Sequence, residues 1–340
     1  MAVGGLGGQR IGVPTLLEVR DLRTYYVGFR GTRVVKAVDG VSFSVDAGET
    51  FGLVGESGCG KTTTCHSIVR LLAPGARIVS GAIELEGEDL VAKSQSEMRR
   101  IRGRRIATIL QDPMASLDPL FSIYDQVAEP AYYHQSLRGP ALRRRVKQLL
   151  TAVRIPSPEL RMKAYPHQMS GGMRQRIVGA ISQAGGPRII IADEPTTNLD
   201  VTIQLQYLNL LKDLQHATGV ALIFVTHNLG IVAKMCDRVA VMYAGKIVEM
   251  QSVRGLFYRP RHPYTKALLD SIPKLGVKAP LRGIPGQPPD LSSLPAGCSF
   301  HPRCQRAMDR CRVDEPRQHD LNGDGSIRCW SPLEERAARG

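Results

Sequence analysis

Gly55-Glu56-Ser57-Gly58-Cys59-Gly60-Lys61-Thr62 fits the pattern G-x-x-x-x-G-K-S/T, and its flanks decide what it means. Residues 50–54 form a short apolar run, the texture of a buried strand. Residues 63–72 read as a helix, stopped by Pro74-Gly75. A glycine-rich turn between a strand and a helix wraps backbone N–H groups around phosphate oxygens, and the helix start adds its positive dipole end. Lys61 is expected on the outer phosphates. The Thr62 hydroxyl is expected on Mg²⁺, with Thr63 next to it in the cradle.

Working outward, such a cradle needs a second metal contact. The four apolar residues Ile189 to Ala192 end at Asp193-Glu194. A buried strand would deliver both acids to its C-terminal end, where ligands bind in open α/β sheets. Asp193 is the expected Mg²⁺ contact and Glu194 the expected general base for the attacking water. The plainer alternative is a helix start, with Pro195 in the first turn. Upstream, Ser170-Gly171-Gly172 opens another helix with free N–H groups, a second phosphate-binding device. One nucleotide does not need both, so the second is expected to reach the nucleotide of a partner chain.

Alternation of apolar and polar residues marks strands at 16–22 and 41–45. Further strand candidates are 106–110, 188–192, 220–225 and 238–242, with helices at 201–217 and 229–235. Between 112 and 176 helices and loops dominate. Leu142, Val146, Leu149, Leu150 and Val153 recur there at helical spacing. The expected architecture is an α/β P-loop core with an inserted helical subdomain at about 112–178. Residues 1–14 are Gly-rich and expected to be flexible, without the apolar core of a secretory signal. The core is expected to run over 15–255 and a C-terminal extension over 256–340. The net charge of 45 basic minus 31 acidic residues, +14, favours an anionic partner: nucleotide, nucleic acid or membrane face. No basic patch is interleaved with aromatics, so nucleic acid is not expected. No apolar run approaches the length of a membrane span.

Taken together, these segments resemble the Walker A, signature and Walker B motifs of ABC-type ATPases, and the rest of that family's set follows in order. Gln111 matches the Q-loop glutamine, which senses Mg²⁺ and couples to the transporter. Thr197-Asn198-Leu199-Asp200 resembles the D-loop. His227 resembles the switch histidine at the γ-phosphate. Tyr26 matches the aromatic that stacks on adenine, with Tyr25 as the fallback. Two departures stand out. Asn228 follows His227 where many relatives carry Asp, and Met169 opens the signature where Leu is common, a volume-conserving swap.

Four stretches resemble ATPases of oligopeptide, dipeptide and nickel importers. They are Gln111 to Pro119, Tyr165 to Arg176, His262 to Leu269, and Gly297 to Cys304 with Cys311 and Cys329. The resemblance implies a peripheral ATPase on the cytoplasmic face of the membrane that powers peptide import. Its partners would be a second ATPase subunit, two permease subunits and, through them, an extracytoplasmic peptide-binding protein. A nickel importer is the alternative, and a soluble non-transport ABC ATPase a more distant one.

The chain has seven cysteines, an odd number that argues against a secreted disulfide scaffold. Cys298, Cys304, Cys311 and Cys329 are spaced C-x5-C-x6-C-x17-C, unlike the paired C-x2-C units of zinc ribbons. Four thiolates hold either zinc or an iron–sulfur cluster. The resemblance to this importer family implies a 4Fe–4S cluster on these four. Proline recurs from Pro273 to Pro302, so the region is expected to be irregular and in need of a staple. ATP binding is expected to be indifferent to it, the nucleotide core folding separately.

Overall fold

The computed structural model describes residues 14–28, 33–197, 199–273, 283–321, 323 and 325–334. The expectation for residues 1–13 therefore lies outside the described residues, as does Asn198. The chain divides into two compact units. One comprises residues 1–46, 50–91 and 226–340; the other comprises 47–49 and 92–225.

In the first unit, an antiparallel sheet runs in the order Val34–Asp46, Thr15–Val27, Ala76–Leu85, Glu88–Asp89. The alternation read from sequence has its physical cause here. Leu17, Val19 and Leu22 are buried, while Arg20 and Asp21 face out. A register shift between Val19 and Leu22 brings Asp21 to a φ of 45°. Burial of each large apolar side chain in such a face stabilises it by about 1.5–3 kcal/mol.

Thr50–Val54 is buried at every residue and pairs in parallel with Arg238–Tyr243, Val54 opposite Val241. Such all-apolar texture belongs to a strand covered on both faces. Arg238–Tyr243 turns at Ala244-Gly245, both at positive φ, into antiparallel Lys246–Ser252. Gly325–Ile327 then pairs with Lys246–Ser252, Ile327 opposite Glu249. The C-terminal region thus extends a strand ladder of the P-loop's own unit. Phe300 is buried in one apolar cluster with Tyr243, Leu256 and Tyr264. Its ring lies 5.2 Å from each of the two tyrosine rings. One aromatic and one short strand seat the irregular segment on the P-loop's own unit.

In the second unit, Ile106–Ile109, Ile189–Asp193 and Ala221–Thr226 form parallel pairs, with Ile189 opposite both Ile106 and Ala221. Helices Ile123–Gln135, Gly139–Ala152 and Gly171–Ala184 pack on one another. Ser122 starts the first with a reciprocal capping box to Asp125. Leu142, Val146, Leu149 and Leu150 form the buried stripe of the second, at the helical spacing read from sequence.

Candidate functional site

The glycine-rich turn leads into helix Lys61–Val69. Gly60 stands at its N-cap with φ 107°, and a Cβ there would lie 2.1 Å from the Ala37 carbonyl oxygen. Only glycine fits. No side chain caps this helix start, so its first N–H groups point outward as an anion-binding end. Gly58, at φ 79°, faces open space, with nothing within 4 Å of a would-be Cβ. The rim is thus roomy where the root is crowded, and the geometry suits a triphosphate.

Lys61 is buried, and its ammonium donates to the carbonyls of Gly55 at 2.8 Å and Glu56 at 2.9 Å. The loop backbone therefore aims this charge. Cys59 is buried beneath it, its thiol pushed up by burial. Ser57 and Thr62 are exposed. The Tyr26 hydroxyl lies 3.3 Å from that of Thr63, which places this tyrosine beside the cradle. Tyr25 is committed elsewhere. It donates to Asp39 at 2.7 Å, and burial together with that bond pushes its pKa up to about 12. His227 is exposed, just beyond the strand end at Thr226. Asn228 caps helix Leu229–Met235, its side-chain oxygen accepting from the N–H groups of Gly230 and Ile231. The neutral amide serves that role, so the departure from Asp leaves the helix start intact.

Two residues at this cradle were not found by sequence reading. The Tyr264 hydroxyl accepts from the Glu56 N–H at 3.0 Å. Arg303 forks onto the Glu56 carboxylate, Nη1 to Oε2 at 2.7 Å and Nη2 to Oε1 at 3.0 Å. That bond holds the guanidinium pKa above its usual range. Both lie in stretches quoted from the sequence, Tyr264 in His262 to Leu269 and Arg303 in Gly297 to Cys304, but neither stretch gave a contact with the P-loop.

In the second unit, Asp193 is buried at the end of Ile189–Asp193, opposite Val225. Glu194 follows at φ 45°, its N–H bonded to the Val225 carbonyl at 2.9 Å. Thr197 donates to Glu194 Oε2 at 3.0 Å, and Gln111 reaches the same oxygen. Gln111 and Glu194, expected from sequence, are thus brought together, and Thr197, quoted there only as part of the D-loop, joins them. Ser170 caps helix Gly171–Ala184 through the Met173 N–H. A Cβ on Gly171 would meet nothing within 4 Å, while one on Gly172 would sit 2.9 Å from Ile203. Gly171 is therefore the open face of the motif. Asp200 caps Val201–Thr218 through the Ile203 N–H at 3.0 Å.

The cysteine region lies in the P-loop's unit. Cys298 donates its N–H to the Cys311 carbonyl at 2.8 Å. Burial, then the neighbouring Cys311 and Cys304, push the Cys298 thiol up to about 11. Burial, then Cys298, Cys304 and Cys311, push Cys329 up to about 12. Among the described residues, no group of three or more His, Cys, Asp or Glu side chains is gathered closely enough to hold a metal ion.

A phosphate cradle of this build and a strand-end Asp-Glu pair, together with a Ser-Gly-Gly helix start, define an ATPase of the ABC class. The chain belongs to the ABC transporter family, in its oligopeptide and dipeptide branch. Residues 38–197 match the ABC transporter family, and 248–311 match the oligopeptide/dipeptide transporter C-terminal region. It is 48% identical to the dipeptide transport ATP-binding protein DppD of Bacillus subtilis over 93% of this chain and 94% of that one. It is 42% identical to the oligopeptide transport ATP-binding protein OppD of Salmonella typhimurium, over 94% and 95%. A dimeric ATP-binding cassette bound to ADP and phosphate superposes with a TM-score of 0.62 at 24% identity, over 71% of this chain and all of that one, which bears on fold alone. The cassette cbiO1 of Clostridium perfringens, part of the ABC transporter complex cbiONQ, gives a TM-score of 0.62 at 26% identity, over 72% and 91%.

Proposed function

We propose that this chain is the ATP-hydrolysing subunit of an importer of di- or oligopeptides, peripheral to the cytoplasmic face of the membrane. The observation that carries the reading is similarity across nearly the whole chain to peptide-transport ATP-binding proteins, the C-terminal region included. Among the described residues no helix is long and apolar enough to cross a membrane, so the reading requires permease partners. A groove of about 560 Å³ in the helical unit is bordered by aromatic Phe121, Tyr124 and Tyr133 and by acidic Asp118, Asp125 and Glu129, a mixed surface for a permease segment.

In this reading the Gly55–Thr62 amides and Lys61 bind the triphosphate, and Tyr26 stacks on adenine. Thr62 and Asp193 hold Mg²⁺, with Gln111 sensing it. Glu194 takes a proton from the attacking water. His227 contacts the γ-phosphate. Ser170, Gly171, Gly172 and Asp200 complete the site of a second ATPase subunit. Cys298, Cys304, Cys311 and Cys329 hold a 4Fe–4S cluster, a reading supported by the match of 248–311 to the oligopeptide/dipeptide transporter C-terminal region and by the Cys298 N–H bond to the Cys311 carbonyl. Such a cluster would cross-link segments with little apolar core of their own.

Uptake of a labelled dipeptide, a labelled tetrapeptide and nickel in cells lacking this chain tests the transport reading. Loss of peptide uptake is expected, restored by the wild-type chain and not by Glu194→Gln. Normal peptide uptake with lost nickel uptake would replace peptide by nickel as the cargo.

A further inference from the structure

Arg303 lies between Pro302 and Cys304 in the C-terminal region, 247 residues from its partner in the P-loop. Its side chain is only 4% exposed. All five guanidinium hydrogens have acceptors. Two go to the Glu56 carboxylate, one from Nε to the Pro285 carbonyl at 2.8 Å, one to the Tyr243 hydroxyl at 3.4 Å and one to the Ile284 carbonyl at 3.5 Å. A buried arginine so fully committed has one orientation.

Glu56 is held at three points. Its carboxylate takes the arginine fork, its N–H donates to Tyr264, and its carbonyl accepts from Lys61. The residue whose backbone aims the phosphate-binding lysine is therefore pinned from the C-terminal region. Neither Arg303 nor Tyr264 needs to touch nucleotide.

We infer that Arg303 is a positioning residue for ATP binding: through its fork on Glu56 it fixes the P-loop conformation that points Lys61 at the phosphates. This rests on the reading of Gly55 to Thr62 as the phosphate cradle. Removing the fork frees the Glu56 side chain and leaves a carboxylate beside the cradle without its cation. The loop must then be ordered when nucleotide binds, which weakens binding. The hydrolytic groups on the other unit are untouched, so turnover at saturating ATP is spared.

The test measures equilibrium MgATP binding and steady-state hydrolysis on the full-length chain. Arg303→Met is expected to raise Kd and KM for ATP about tenfold, with kcat within about twofold of wild type. Arg303→Lys, keeping charge but not the fork, recovers part of the loss. Glu56→Gln weakens binding similarly, and the double variant Glu56→Gln with Arg303→Met is no weaker than the worse single variant. If Arg303→Met does not fold, Glu56→Gln against Arg303→Lys carries the same comparison. Wild-type Kd in Glu56→Gln and Arg303→Lys, or losses that multiply in the double variant, would overturn the inference. Lys61→Ala separates the two levels. Intact ATP binding there sinks the cradle reading itself, whereas loss there with normal binding in the Arg303 variants sinks only the positioning role.

Discussion

Gln111 donates from Nε2 to Oε2 of Glu194 at 3.3 Å, so the glutamine following one strand is tied to the carboxylate following its neighbour. Both follow adjacent parallel strands, and the bond makes the proposed sensor and the proposed base one mechanical unit. In the proposed reading, a shift of Gln111 on partner binding would change where the Glu194 carboxylate points.

Replacing Glu194 with Gln keeps the size and much of the hydrogen bonding, but removes the base. Hydrolysis is expected to fall by at least about 100-fold while MgATP still binds. Single-turnover phosphate release together with equilibrium binding measures both. A wild-type rate in Glu194→Gln would refute the assigned role.

Gly171 offers open space for a side chain, so Gly171→Asp can be accommodated without local strain. Its carboxylate would repel the γ-phosphate of a partner's nucleotide. The chain's own P-loop should bind ATP normally, whereas ATPase activity of the assembled complex should drop at least about tenfold. Equal activity of variant and wild-type complexes would show that this helix start does not close a partner's site.

His262 is fully buried, and its Nδ1 accepts from the Tyr264 N–H at 3.0 Å. Burial pushes its pKa down to about 3 from an ordinary 6.5. The unfolded chain therefore binds a proton below pH 6.5 that the folded chain refuses down to about 3. Stability contributed by this residue is complete above pH 6.5 and declines as pH falls, by about 2 kcal/mol at pH 5. Thermal melts at pH 7.5 and 5 should show a larger loss in wild type than in His262→Asn. Parallel pH profiles would remove the histidine from the account.

Anaerobically prepared protein is expected to be brown and to hold about four irons per chain. Cys304→Ser disturbs the residue next to Arg303 and should weaken ATP binding, more than Cys329→Ser does. One zinc and no iron per chain would end the cluster reading. Unchanged ATP affinity in Cys304→Ser would confine the cysteines to a local role.

The phosphate cradle and the strand ending at Asp193 were legible because each is a local device, with its meaning set by a few adjacent residues. The strand Ala76–Leu85 was not anticipated. Much of its first half is solvent-facing, so the period-two signal is weak there. Lys246–Ser252 was missed because its pairing with Arg238–Tyr243 is set by the tight turn at Ala244-Gly245 rather than by a pattern of its own. Thr197 and Arg303 lie inside stretches quoted from the sequence, but their contacts with Glu194 and Glu56 carried no signal there, because they come from what lies opposite in space. The seat of the C-terminal region was not legible because it rests on Phe300, one aromatic in a proline-rich stretch whose burial no periodicity announces.

The separation between Glu56 and Arg303 also orders events in time. A ribosome adding about 5–20 residues per second needs roughly 12–50 s to travel from one to the other. Throughout that interval the nascent P-loop exists without its brace. High-affinity nucleotide capture thus becomes a property of the finished polypeptide, and a prematurely terminated chain that still carries every ATPase motif is born a poor competitor for cellular ATP.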